Sequence, residues 1–123
     1  MTNILEKIIK EKKYSLDLIK KEKSLDILEK NIKEQSFLNF KETIQKNQSV
    51  SLITEIKKAS PSSGVLVNNF DHLEIAKMYV SNGATCLSVL TEEKHFLGKL
   101  DYIQDIKKQF KIPILAKDFF IDP

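Results

Sequence analysis

Beyond residue 48 the chain alternates between short β-branched runs and amphipathic helical stretches, and few folds satisfy that order. Residues 50–56, 85–90 and 112–117 read as strands. Between the first two, Asp71 is placed to cap a helix carrying Ile75, Ala76, Met78, Tyr79 and Val80, closed by Asn82-Gly83. Between the second and third, residues 100–110 form an amphipathic helix with Ile103, Ile106 and Phe110 inward. The strands recur roughly every 30 residues, the length of one strand–helix–strand unit. That rhythm predicts parallel strands joined by right-handed helical crossovers.

Before residue 48 the pattern is helical throughout, without a single Gly or Pro. Asn3 is placed to cap a helix carrying Ile4, Leu5, Ile8 and Ile9. Ser24 is placed to cap a second one through Leu25, Ile27, Leu28 and Ile32. A short third helix runs from about Asn39 to Lys46 and buries Phe40 and Ile44. The expected organisation is therefore an N-terminal helical extension over 1–47, followed by three β/α units over 48–123.

A chain of 123 residues is too short for a complete eight-stranded α/β barrel of about 250 residues. A three-stranded parallel sheet also has open edges, whereas parallel sheets are normally covered on both faces. The expectation is a piece, or one half, of a larger α/β fold. Charged residues make up 30% of the chain, and no apolar run approaches the roughly 18 residues that span a bilayer. Residues 1–10 lack the apolar core of a secretory signal. A cytoplasmic setting without membrane contact is expected.

The single cysteine, Cys86, excludes a disulfide framework within the chain and a cysteine-built zinc cage. With only two histidines as well, metal chemistry has little to work with. Cys86 reads as a small buried hydrophobe. All 20 basic residues are lysines, which argues against a nucleic-acid reader, since such proteins use arginine forks on bases and phosphates. Residues 1–49 carry 11 lysines against 8 acids, and residues 50–123 carry 9 of each. The interleaving fits solvated helix faces.

The polar residues at the strand ends are the informative ones. Side chains alternate along a strand, so Glu55 and Lys57 share a side, as do Leu115, Lys117 and Phe119. In an α/β barrel, alternate strands contribute to one interior layer. The first and third strands would then place Glu55, Lys57 and Lys117 in one pocket. Lysines and a carboxylate at buried strand ends are costly unless paired or put to use.

Three stretches carry a family resemblance. Glu55-Ile56-Lys57-Lys58-Ala59-Ser60-Pro61-Ser62 resembles the first-strand signature of the indole-3-glycerol-phosphate synthases. Residues 87–98, reading Leu87-Ser88-Val89-Leu90-Thr91-Glu92 and on to Phe96-Leu97-Gly98, resemble that family's second strand and loop. Pro113-Ile114-Leu115-Ala116-Lys117-Asp118-Phe119 resembles its third strand, and residues 1–47 its helical extension. The resemblance implies a (β/α)8 TIM barrel, of which this chain supplies the first three parallel strands.

It further implies closure of the indole ring of 1-(2-carboxyphenylamino)-1-deoxyribulose 5-phosphate, with loss of carbon dioxide and water, without cofactor or metal. By the same resemblance, Lys117 is the general acid. Lys57 binds the anionic substrate and assists proton transfer, and Glu55 orients the lysines and holds a substrate hydroxyl. Ser60 belongs to a mobile loop that closes over the substrate, and Phe96 and Phe119 pack on its aromatic ring. His95 receives no role.

In that family the general base and the phosphate cradle come from later strands. The isolated chain is therefore expected to be inactive, with a complementary C-terminal half-barrel chain as a candidate partner. The alternative is a non-catalytic half-barrel module that pairs with itself or with a second chain through its open edges.

Overall fold

The computed structural model describes residues 3–32 and 36–122. The chain divides into two compact units, one of residues 1–36 with 119–123, the other of residues 37–118.

The first unit is helical. Helix α1, Ile4–Glu22, starts where Asn3 accepts a hydrogen bond from the Leu5 N–H at 3.1 Å. Its last turn carries Lys20 and Lys21, which suit the negative end of the helix dipole. Lys20 also donates to Asp122 at 2.7 Å. Of the expected apolar stripe only Ile8 is buried, while Ile4 and Leu5 stay exposed. Helix α2, Leu25–Asn31, begins after Ser24 as expected, but its first amides bond the Ser24 carbonyl and the hydroxyl makes no cap. Ile32 lies just past the end of α2 and is exposed.

The second unit holds the sheet. Helix α3, Phe40–Lys46, is capped by Asn39, whose side chain accepts from the Glu42 N–H at 3.0 Å. It packs against the central strand and so sits with the sheet, although its sequence reads like the helical extension. Phe40 and Ile44 are only half-buried, short of the burial the sequence suggests.

Strands β1 (Ile53–Ile56), β4 (Cys86–Leu90) and β5 (Ile114–Lys117) form a parallel sheet in the order β1-β4-β5. The first strand starts later than its β-branched run suggests, and Val50 is left outside and exposed. The loop after it contains a two-residue pairing of β2 (Ala59–Ser60) with β3 (Gly64–Val65).

Helices α4 (His72–Ser81) and α5 (Asp101–Gln109) are the two crossovers. Asp71 caps α4 by accepting from the Leu73 and Glu74 N–H groups at 2.9 and 3.1 Å. Gly83, at φ 90°, ends α4, a backbone conformation that residues with a Cβ adopt only under strain. The core lies between the two helices and one sheet face: Ile56, Leu87 and Val89 meet Ala76, Ile106 and Ile112, with Tyr79, Tyr102 and Ile103 around them. His72 stacks on Tyr102 with ring centroids 4.3 Å apart and bonds Asp105 at 3.2 Å, joining α4 to α5.

Alternation sends the intervening residues to the other face. There Cys86, Ser88 and Leu90 of the central strand are buried, whereas Ile53 and Leu115 on the outer strands are about half exposed. Among the described residues no helix is long and apolar enough to cross a membrane.

Candidate active site

The register of the sheet brings three charged side chains together. Glu55 of β1 lies level with Ser88, and Ser88 with Leu115. One step of alternation further on, Lys117 pairs with Leu90, and Lys57 follows the last residue of β1. All three point off the face opposite the helices, at the C-terminal strand ends. Lys117 donates to Glu55 Oε2 at 2.5 Å, and the Lys57 ammonium lies 3.0 Å from Oε1. One carboxylate thus holds two ammonium groups, one on each oxygen.

Burial by itself would raise the Glu55 pKa. The hydrogen bonds from Lys117 and Lys57, with their charges, outweigh it and hold the carboxyl below its ordinary value. The trio keeps one positive charge in excess, in a setting that suits an anionic ligand. The Lys117 side chain is 53% exposed, so its ammonium can meet a ligand from solvent.

Other bonds fix the frame around the trio. The Tyr79 hydroxyl, reaching from α4, donates to the Glu55 carbonyl at 3.0 Å. Thr91, directly after β4, donates its N–H to the Lys117 carbonyl at 3.0 Å and its hydroxyl to Asp118 Oδ2 at 3.1 Å. Both lysine-bearing strand ends are therefore anchored by neighbours. The sequence reading missed Tyr79 and Thr91. A tyrosine one helix away leaves no mark on strand periodicity, and a threonine ending a strand looks like any loop residue.

The other expected site residues divide. Ser60 sits in β2, where its hydroxyl accepts from the Ser63 N–H at 3.3 Å and lies 3.4 Å from the Ser62 hydroxyl, so it organises its own turn. Phe96 lies half-buried in the loop after β4. Phe119 falls in the compact unit of residues 1–36 with 119–123. A cleft of about 370 Å³ opens beside the loops after β1 and β4, lined by Lys58, Glu93, Leu97, Lys99, Asp101 and Tyr102 among others. It mixes both charge signs and includes none of the trio, so we place the candidate chemistry at the strand ends. Among the described residues no three His, Cys, Asp or Glu side chains cluster as a metal would need.

Parallel strands joined by helices, with charged side chains gathered at the strands' C-terminal ends, are the plan of an α/β protein. The architecture is consistent with the N-terminal part of a TIM barrel. The profile of the indole-3-glycerol phosphate synthase family matches residues 5–123, and the chain belongs to that family.

It is similar to the indole-3-glycerol phosphate synthase of Desulforamulus reducens, with 46% identity over 121 residues, 98% of this chain and 46% of that protein. The enzyme of that name from Legionella pneumophila (strain Lens) is 43% identical over 122 residues, 99% of this chain and 47% of that protein. That of Clostridium acetobutylicum is 41% identical over 121 residues, 97% of this chain and 46% of that protein. The chain spans about half the length of the curated relatives it matches.

Proposed function

We propose that the protein is an indole-3-glycerol-phosphate synthase, a carboxy-lyase of tryptophan biosynthesis. It closes the indole ring of 1-(2-carboxyphenylamino)-1-deoxyribulose 5-phosphate, releasing carbon dioxide and water. The observation that carries the proposal is the Lys57–Glu55–Lys117 cluster at the strand ends of a chain of this family.

The chemistry asks for a cationic, proton-donating site. The substrate is a carboxylate and a phosphate ester, so an excess of ammonium groups attracts and orients it. Ring closure needs a proton on the ribulose carbonyl oxygen while the ring carbon attacks. Lys117, exposed toward solvent and steered by Glu55, is the general acid of this step. Lys57 binds the substrate's anionic part and assists proton transfer. Glu55 sets the spacing of the two lysines and holds a substrate hydroxyl.

Ser60 serves on the loop that closes over the substrate, and Phe96 and Phe119 pack on its aromatic ring. Residues 1–47 act as the helical extension of the barrel, and residues 48–123 supply its first three β/α units. The activity belongs to the protein as a whole, in the cytoplasm. A chain carrying the remaining strands is a partner compatible with this reading.

The test is formation of indole-3-glycerol phosphate by the native gene product from the synthetic substrate, followed by indole absorbance. Turnover without added metal or cofactor is expected. Absence of turnover in a folded preparation that also contains the later strands would refute the reading and favour the non-catalytic half-barrel.

A further inference from the structure

The buried polar and charged side chains of the described chain are Ser88, Thr91 and Glu92, all on β4 or directly after it. Ser88 lies within the sheet, and Thr91 ties β4 to the Lys117 strand end. Glu92 has no part in the proposed chemistry, yet it is a carboxylate only 3% exposed. A buried charge is tolerated only where hydrogen bonds replace its water.

Three backbone amides do so here. Oε1 accepts from the Lys94 N–H at 3.1 Å, and Oε2 accepts from the His95 and Phe96 N–H groups at 2.7 and 2.9 Å. The Glu92 carbonyl closes the same loop by accepting from the Gly98 N–H at 2.8 Å. Nothing in this arrangement is required by strand pairing, since β4 ends at Leu90. The bonds act on the backbone of three consecutive residues, the last of them Phe96.

We propose that Glu92 is a positioning residue: its carboxylate clasps the Lys94–Phe96 backbone and so presets the Phe96 ring for the aromatic half of the substrate. The inference rests on the reading of Phe96 given under the proposed function. Its reach explains the residue type. A serine or threonine hydroxyl is a single acceptor atom, whereas the longer glutamate puts two oxygens under three donors. The loop is rooted at the reactive strand end, because Thr91, the residue before Glu92, bonds the Lys117 carbonyl.

The experiment is amide hydrogen exchange on the full chain and on its Glu92→Gln and Glu92→Ala variants, then titration with anthranilate while the Phe96 ring resonances are followed. Without ligand, exchange at Lys94, His95 and Phe96 should quicken roughly tenfold or more in Glu92→Ala, the loss of charge-assisted bonds. Glu92→Gln, which keeps the shape and one acceptor oxygen, should fall between that variant and the parent. The amides of Leu87–Leu90 should hold steady. Anthranilate should shift the Phe96 ring in the parent and do so more weakly in both variants.

Unchanged exchange at the three amides overturns the proposal. Exchange that quickens equally through β4 overturns it too, since Glu92 would then support the fold as a whole. So does loop exchange that quickens while the anthranilate response stays at the parent's level. If anthranilate fails to move Phe96 even in the parent, it is the reading of Phe96 that falls, and the ligand-free exchange separates that failure from a failure of the clasp.

Discussion

Glu55 shows how one side chain settles the character of a site. Its two oxygens each face a lysine, and the balance of burial against two ammonium partners leaves its pKa below the ordinary 4.5. A depressed carboxyl pKa stabilises the folded state at every pH above the unfolded value. That contribution is lost as pH falls through the folded pKa. The stability advantage of the parent over Glu55→Gln should therefore be full above about pH 4.5 and shrink on acidification below it. Urea unfolding at several pH values reads this, and an advantage that stayed constant into acid would mean the trio is not ion-paired. Cys86 offers a second check of the same kind. It is fully buried, and burial pushes its thiol pKa up. Its thiol should react with a disulfide reagent only as fast as the chain unfolds, and prompt reaction in native buffer would contradict the packing of β4.

The local elements hold these side chains in register through a few identifiable bonds. Removing the Tyr79 hydroxyl takes away the donor to the Glu55 carbonyl, and Tyr79→Phe should cost about 1 kcal/mol in a denaturant titration. Gly98 marks a closer constraint. A Cβ there would stand 2.2 Å from the Leu90 carbonyl oxygen, so the loop after β4 must shift or the strand end must give. Gly98→Ala should lower stability by about 1–3 kcal/mol. Full stability in that variant would show that the loop does not press on β4 as the structure has it.

Much of this organisation was readable in the chain. The caps at Asn3 and Asp71, the strands ending at Ile56, Leu90 and Lys117, and both crossover helices follow from periodicity and capping chemistry. The β2–β3 pairing was not, since two-residue strands have no period. Glu92 went unread for a different reason. An acid in a loop normally faces water, and only the fold shows three amides turned onto it. The late start of β1 came from Val50, whose β-branching favours a strand but which has no partner strand beside it.

Taken together, the chain presents a parallel sheet with its core on the helix side and its charged groups at the strands' C-terminal ends. Family membership rests on sequence similarity, and the register of the sheet gathers the Lys57–Glu55–Lys117 cluster on which the proposed chemistry rests. The trio was legible because a period of two fixes which side chains share a face. Which Glu55 oxygen each lysine takes was not, because that depends on side-chain geometry, which alternation alone does not supply. The decisive measurement is single-turnover ring closure by the native gene product and by its Lys117→Ala variant. The general-acid role predicts a rate lower by about 10²–10⁴ in the variant, with substrate still bound through Lys57. A variant that closed the ring at the parent rate would contradict the assignment of Lys117 and, with it, the account of the site.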